Sequence, residues 1–251
     1  MAQETASLTV DPREIDNFSA MAAEWWDPEG SFRPLHQLNP VRLGWIRDVL
    51  CARFDRDPQQ IRALDGLSIL DVGCGGGLIS EPVSRMGAAV TGIDAGETNI
   101  GIAAAHAAET GAHVDYRCAT AEALAAEGGT FDAVLALEIV EHVADLPVFL
   151  KSLCALTRPG GTLVLSTLNR TPKSYLFAIV GAEYVMRWLP RGTHQWQKFV
   201  KPSELQRGLR QNGASVEEMT GLIYNPVSGD WRLARDFAVN YMVAAAMPDG
   251  S

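Results

Sequence analysis

The sequence predicts an α/β fold in which a mostly parallel sheet carries helices on both faces. Two observations indicate this class. From Leu67 onwards, short apolar runs alternate with helical patterns, which is typical of βαβ units. Each run is almost continuously apolar, as expected for a strand that is covered on both faces. A chain of 251 residues can bury a sizeable core, so we predict a single domain over residues 1–251.

The N-terminal part, residues 1–60, is predicted to be a helical segment that packs against the sheet as a lid. Apolar side chains between Ile15 and Trp25 recur at spacings of three and four, which favours a first helix. A loop with the sequence Asp27-Pro28-Glu29-Gly30 follows, and two more prolines extend the break. A second helix is predicted over Val41 to Phe54.

Residues 67–168 are predicted to form the core of the sheet, residues 169–201 an insertion, and residues 202–251 the C-terminal part of the sheet. The predicted strands are Leu67–Val72, Ala89–Ile93, Val114–Tyr116, Phe131–Leu137 and Thr162–Leu165. The predicted helices are Leu78–Met86, Thr98–Glu109 and Leu146–Thr157.

Composition and charge exclude several classes of protein. The net charge of -9 lacks the basic footprint of a nucleic-acid-binding protein. Four cysteines without a C-x-x-C pair argue against a disulfide scaffold or a cysteine zinc site. The first 16 residues do not resemble a signal peptide, and no run approaches the ~20 apolar residues of a membrane span. We therefore expect a cytoplasmic protein.

A glycine-rich loop, Gly73-Cys74-Gly75-Gly76-Gly77, follows the first predicted strand. Glycines allow a ligand to approach the backbone closely, and this edge of an open α/β sheet is where ligands bind. Asp94 ends the second strand, where its carboxylate can accept both hydroxyl hydrogens of a ribose. A tight turn and a helix N-cap are the structural alternatives, but together the features favour a nucleoside site. The dinucleotide pattern is disfavoured because Leu78 stands where it needs glycine.

The motifs Leu70-Asp71-Val72-Gly73-Cys74-Gly75-Gly76-Gly77 and Thr91-Gly92-Ile93-Asp94 resemble those of S-adenosylmethionine-dependent methyltransferases. The resemblance implies a Rossmann-like sheet of seven strands whose last strand is antiparallel. The flanks are similar to the ubiquinone-biosynthesis O-methyltransferase family, through Trp25-Trp26-Asp27-Pro28-Glu29-Gly30, Ser166-Thr167-Leu168-Asn169-Arg170 and Gly192-Thr193-His194. This family implies S-adenosyl-L-methionine as cofactor, a polyprenylated phenol or quinol as acceptor, and other quinone-biosynthesis proteins as possible partners.

By this resemblance, a set of residues spread along the chain holds the cofactor. Arg42 can clamp the methionine carboxylate bidentately, and Asp94 takes the ribose. The set is Arg42, Gly73, Gly75, Asp94, Ala121, Glu122 and Leu137. For Arg42 and Leu137, a surface ion pair and a simple core position are the alternatives.

Three polar residues follow the fourth strand and are candidates for catalysis. If the segment is helical, offsets of three and four place Glu138, Glu141 and His142 on one face. Two carboxylates and an imidazole suit Mg²⁺, which would lower the pKa of a phenolic acceptor. The alternative is an acidic loop in which His142 alone acts as general base. We thus predict Glu138 and His142 as catalytic residues and all three as metal ligands.

The insertion is basic on an otherwise acidic chain. From Asn169 to Arg210 there are eight basic and two acidic residues, a net charge of +6, interleaved with apolar side chains. This pattern favours docking on an anionic membrane surface, and we expect a peripheral position on the inner membrane face. A lid over the acceptor site is the alternative reading.

Three other functions remain open at this stage. The chain could methylate a different phenol, act as an NAD-linked oxidoreductase with the same sheet topology, or serve as a non-catalytic scaffold. Leu78 argues against the oxidoreductase, and intact Arg42 and Asp94 argue against the scaffold.

Overall fold

The structure, a computed structural model, describes residues 9–176, 196–225 and 229–250. These residues form one mixed sheet with helices on both faces. The eight strands are β1 (Ser68–Val72), β2 (Ala89–Asp94), β3 (Val114–Cys118), β4 (Phe131–Leu137), β5 (Thr157–Leu168), β6 (Ser215–Asn225), β7 (Asp230–Ala234) and β8 (Asn240–Ala246).

The strand order is β3-β2-β1-β4-β5-β8-β6-β7. Strands β1 to β5 are mutually parallel, and β8 runs antiparallel between β5 and β6. The prediction of an α/β Rossmann-like fold is confirmed, but the count of seven strands is wrong by one. The additional strand, β7, pairs antiparallel with β6 at the edge of the sheet. None of its residues is buried, so it lacks the apolar run that marks the inner strands.

Eight helices occur in the described part of the chain. They are α1 (Pro12–Ala20), α2 (Arg33–Arg53), α3 (Ser80–Arg85), α4 (Glu97–Thr110), α5 (Ala121–Glu127), α6 (Leu146–Leu156), the short α7 (Pro172–Ser174) and α8 (Pro202–Gln211). Helix α2 begins eight residues earlier than the predicted Val41. Pro34 lies in its first turn, where no N–H donor is needed, and Pro40 is accommodated inside the helix.

The core consists of two apolar layers, one on each face of the sheet. Side chains of α6 and α8 pack on one face, and side chains of α2 and α3 pack on the other. A third, smaller cluster joins the N-terminal segment to the loop after β1 through Ala22, Trp25, Phe32 and Leu78. The parallel arrangement brings the carboxyl ends of β1, β2 and β4 to one edge, which is the edge that this segment covers.

Most of the predicted basic insertion, residues 177–195, lies outside the described residues. The described flanks are α7 before it and a short 3-10 turn, Trp196–Lys198, after it. Within the described ranges, no helix is both long and apolar enough to cross a membrane.

Candidate functional site

A cavity of about 250 Å³ lies at the carboxyl ends of β1, β2 and β4. Its walls come from the sheet edge, from α2 and from the N-terminal residues of the described chain. All of the predicted site residues line it: Arg42, Gly73, Gly75, Asp94, Ala121, Glu122, Leu137, Glu138, Glu141 and His142. Residues separated by up to a hundred positions in sequence therefore share one cavity, which is the condition for a common site.

The glycine loop after β1 passes close to several side chains of the protein itself. Gly73, Gly75 and Gly77 have φ angles of 71°, 52° and 90°, a region that side-chain-bearing residues rarely adopt. A Cβ on Gly75 would lie 2.4 Å from Cζ2 of Trp25, and one on Gly73 would lie 2.3 Å from Cδ1 of Ile139. The loop therefore requires glycine both for its conformation and for the contacts that it makes.

Asp94 lies beside this loop and is bound to it. Oδ2 accepts the Gly75 N–H at 3.1 Å, and Oδ1 accepts the Gly96 N–H at 2.8 Å and Nδ2 of Asn99 at 3.1 Å. Burial raises the pKa of Asp94, and these hydrogen bonds act in the opposite direction. The carboxylate is thus held in a fixed orientation at the end of β2, as a ribose-binding acid must be.

The far end of the cavity carries Ala121 and Glu122 at the start of α5. Thr120 caps this helix by accepting the Ala123 N–H at 3.2 Å. Both carboxylate oxygens of Glu122 are buried and have no hydrogen-bond partner within the described ranges. Such unpaired acceptors can bind an exocyclic amine, so the chemistry of this end suits the adenine edge of a nucleoside.

Arg42 projects from α2 at the opposite end and is only 2% exposed. Nη1 donates to Asn39 Oδ1 at 3.1 Å, and Nη2 donates to Glu138 Oε1 at 2.7 Å. The buried Nε has no partner in the part of the chain that the structure describes. Burial lowers the pKa of Arg42, and the neighbouring carboxylates oppose this change. A buried cation with an unused donor is well suited to a ligand carboxylate.

Asp71, at the end of β1, is a second buried carboxylate near the loop. Its Oδ2 accepts the Ser80 hydroxyl at 2.6 Å. Burial raises its pKa to about 6, while Ser80 opposes the shift. The hydrogen bond between Asp71 and Ser80 therefore joins β1 to α3, and burial of the Asp71 carboxylate costs desolvation free energy.

The segment that carries Glu138, Glu141 and His142 is a turn and not a helix. The prediction that the three side chains share one helical face is therefore wrong. Glu138 has a φ of 53°, which bends the chain away from β4. Glu138 Oε1 binds Arg42 and accepts the Ser166 hydroxyl at 2.8 Å, whereas Glu141 Oε2 accepts the Thr167 hydroxyl at 2.7 Å. The three side chains therefore face different partners.

This geometry does not form the predicted metal site. Among the residues that the structure places, no group of three histidine, cysteine, aspartate or glutamate side chains could hold a metal ion. Glu141 Oε1 is buried and lacks a partner among the placed residues, but one oxygen is not a ligand set. The arrangement of Glu138, Glu141 and His142 thus does not fit Mg²⁺. A magnesium requirement stays a prediction.

His142 is engaged by a residue that the sequence analysis did not identify. Its Nδ1 lies 3.2 Å from Glu14 Oε2 on α1, and Lys198 donates to the other oxygen of Glu14 at 3.2 Å. Burial disfavours the charged imidazole, but Glu14, Glu141 and Glu138 outweigh it and raise the pKa of His142. The N-terminal helix is therefore part of the site, and no local pattern in the sequence indicates this contact.

The N-terminal segment also contributes Trp25, whose indole Nε1 donates to Asn99 Oδ1 at 3.0 Å. The sequence places Trp25 on a helical face and Asn99 near the start of α4, but it does not connect them. The available signal is the position of Asn99, five residues after Asp94.

Comparison with known proteins is consistent with this geometry. The family model described as a methyltransferase domain matches residues 70–165, which span the glycine loop through β5. The solved magnesium protoporphyrin IX methyltransferase from Synechocystis, with bound SAH, has a similar fold. It is 22% identical with a TM-score of 0.60, covering 86% of this chain and 85% of that one. Fold, matched domain and relatives together define the chain as an S-adenosylmethionine-dependent methyltransferase.

The curated relatives narrow this class. A ubiquinone biosynthesis O-methyltransferase from Sinorhizobium fredii is 56% identical over 245 residues, covering 98% of this chain and 99% of the relative. A protein of the same name from Parvibaculum lavamentivorans is 54% identical over 244 residues, covering 97% and 96%. The chain belongs to the ubiquinone biosynthesis O-methyltransferase family, and its activity is O-methylation with S-adenosylmethionine.

Proposed function

We propose that the acceptor is a hydroxyl group of a polyprenylated dihydroxybenzene or demethylubiquinol, as the name of the relatives suggests. The observation that carries this proposal is the mixed lining of the cavity. Beside polar groups suited to a nucleoside and an amino acid, the cavity is lined by His142 and by apolar side chains. The apolar set is Ile15, Phe18, Leu35, Ile139, Val143 and Phe149.

Four side chains of this protein would hold the cofactor. Asp94 accepts the ribose hydroxyls, Glu122 accepts the adenine amine, and Arg42 binds the methionine carboxylate. Glu138, held by Arg42 and Ser166 through Oε1, leaves its second oxygen for the methionine ammonium group. When bound, S-adenosylmethionine supplies an electrophilic methyl group. The protein contributes orientation, because the methyl transfer is an in-line displacement.

The acceptor must lose a proton to become a good nucleophile. A phenol has a pKa of about 10, by analogy with tyrosine, so a base near neutral pH accelerates the reaction. His142 is the imidazole of the cavity, and its contact with Glu14 fixes the orientation of the ring. We therefore assign His142 the role of general base, with Phe18 packing edge-on against the ring at 5.2 Å.

An acceptor with an isoprenoid tail must be taken from the lipid bilayer. The residues that directly precede residues 177–195 carry exposed apolar and basic side chains that suit contact with lipid. Tyr175 and Leu176 are 49% and 55% exposed, and Lys173 lies two residues before Tyr175. Together with the basic composition of residues 169–201, they support peripheral association with an anionic membrane surface, on the inner face. Other quinone-biosynthesis proteins could share that surface as partners.

Two experiments test these proposals. The first incubates the protein with a short-chain prenylated catechol and methyl-labelled S-adenosylmethionine. Mass spectrometry should find a labelled methyl group on a ring hydroxyl oxygen of the acceptor, and methylation of unprenylated phenols at the same rate would contradict the acceptor assignment. The second is co-sedimentation with anionic and neutral vesicles, where equal binding to both would contradict the membrane assignment.

The same methylation assay can decide the magnesium prediction. Activity is measured after treatment with a chelator and again after magnesium is restored. Loss and recovery would establish a requirement, and the ligands would then have to arise from a rearrangement of the turn after β4.

A further inference from the structure

The indole of Trp25 lies directly on the glycine loop. A Cβ on Gly76 would be 2.4 Å from Trp25 Cγ, so the ring occupies the space that a side chain would need. Trp25 is 7% exposed and stacks on Phe32 with a ring separation of 3.7 Å. The N-terminal segment is therefore in contact with the backbone that holds the cofactor.

Neighbouring contacts hold this indole in place. Trp26 Nε1 donates to the Gly76 carbonyl at 2.9 Å, and its ring stacks on His106 at 3.4 Å. His36 Nε2 lies 2.9 Å from the Trp25 carbonyl oxygen. Because the contacts come from α2, α4 and the glycine loop, Trp25 has a defined position relative to α4.

From this position, Trp25 is connected to the ribose-binding carboxylate by one side chain. Trp25 Nε1 donates to Asn99 Oδ1 at 3.0 Å, and Asn99 Nδ2 donates to Asp94 Oδ1 at 3.1 Å. Asn99 is only 3% exposed, so water cannot readily replace either bond. The three residues form a short buried chain of hydrogen bonds.

The direction of these bonds is fixed by chemistry. An indole N–H can only donate, so it must bind the amide oxygen of Asn99. The amide NH₂ group then faces Asp94, which can only accept while it is ionised. Without the indole donor, the amide could rotate and turn its oxygen towards the carboxylate, which is a repulsive arrangement.

We propose that Asn99 is a positioning residue for the cofactor ribose, and that Trp25 sets its orientation when the N-terminal segment covers the site. The inference rests on the methyltransferase function. Asn99 and the Gly96 N–H hold Oδ1 of Asp94, so Oδ2, which also accepts the Gly75 N–H, is the oxygen left for a ribose hydroxyl. Closure of the N-terminal segment and recognition of the ribose are thereby coupled.

The test compares Trp25→Phe, Asn99→Ala and the double variant by isothermal titration with S-adenosylhomocysteine. Phenylalanine retains an aromatic ring against Phe32 but lacks the N–H donor. Each single variant should weaken binding about five- to tenfold, as expected for one buried hydrogen bond. The double variant should lose no more than the larger single effect, because both substitutions break the same chain.

A matched control is Trp45→Phe. In the wild type the Trp45 indole on α2 donates to Glu218 Oε1 on β6 at 2.7 Å, so this variant also loses one indole hydrogen bond. It should leave the dissociation constant unchanged. The same losses should appear with 5′-methylthioadenosine, which retains the ribose but lacks the amino acid. In steady-state assays the KM for S-adenosylmethionine should rise while kcat is retained.

Several outcomes would overturn the inference. These are wild-type affinity in Trp25→Phe, additive losses in the double variant, or an equal loss in Trp45→Phe. If circular dichroism shows that Trp25→Phe does not fold, the Asn99→Asp variant tests the role of Asn99 instead. Its second carboxylate next to Asp94 should weaken binding more than Asn99→Ala, and equal binding would refute the role. Absence of binding by the wild type would overturn the methyltransferase function as well.

Discussion

Replacing Arg42 with lysine tests how the cofactor carboxylate is held. The substitution keeps one positive charge near Glu138 but removes the planar fork of donors. In the structure, Arg42 uses Nη1 for Asn39 and Nη2 for Glu138, and the buried Nε has no partner among the residues described. A lysine ammonium can retain the contact with Glu138 but cannot at the same time supply the donor directed at a ligand.

The size of the effect follows from this lost donor. A hydrogen bond to a charged group contributes about 1.5–3 kcal/mol. This free energy corresponds to about a 10- to 150-fold rise in the dissociation constant of S-adenosylhomocysteine. The affinity for 5′-methylthioadenosine should not change, because that ligand has no carboxylate.

Isothermal titration with both ligands measures the two affinities on the same preparation. Arg158→Lys is the matched control, since Arg158 binds Asp132 at 2.5 Å at the other end of β4. It should bind both ligands like the wild type. The assignment of Arg42 to the carboxylate is refuted if Arg42→Lys binds S-adenosylhomocysteine normally, or if it loses both ligands equally.

Three further predictions concern the loop, the buried acid and the base. Gly76→Ala should displace Trp25 and weaken cofactor binding, which isothermal titration measures. The control Gly101→Ala, whose added Cβ meets no described atom within 4 Å, should stabilise α4 by about 0.5–1 kcal/mol in thermal melts. Asp71→Asn should flatten the pH dependence of stability. The pKa of Asp71 is raised from 3.8 to about 6, so the buried carboxyl makes the wild type less stable as pH rises through this range. This contribution lowers the free energy of unfolding by about 3 kcal/mol at pH 7 and vanishes near pH 3. Denaturant titrations at both pH values measure it. His142→Ala should lower kcat about 100- to 10,000-fold without changing S-adenosylhomocysteine affinity, and unchanged turnover in the methylation assay would exclude it as the base.

Much of the sheet could be predicted because its inner strands leave a simple pattern. Strand β4 has the bounds predicted for it, Phe131–Leu137, since continuous apolar residues end where the chain reaches the cavity. The edge strand β7 has no such run and was not predicted. The start of α2 was placed too late because Pro34 and Pro40 look like helix breakers, although one of them occupies the first turn.

The site was predictable only where a residue follows a strand directly. Gly73 and Asp94 could be placed because parallel strands bring their carboxyl ends to the same edge. Glu14 could not, because it lies 128 residues from His142 and the contact depends on how α1 packs. The spacing of Glu138, Glu141 and His142 predicted a shared helical face, but the positive φ of Glu138 makes the segment a turn.

Strand β8 has a consequence for how the molecule is assembled. All seven of its residues are buried, and it is inserted between β5 and β6, although both precede it in the chain. During synthesis, the facing edges of those two strands have no sheet partner until residues 240–246 leave the ribosome. Premature termination before Asn240 should therefore give a polypeptide that aggregates, even though every residue that lines the cavity has already been translated.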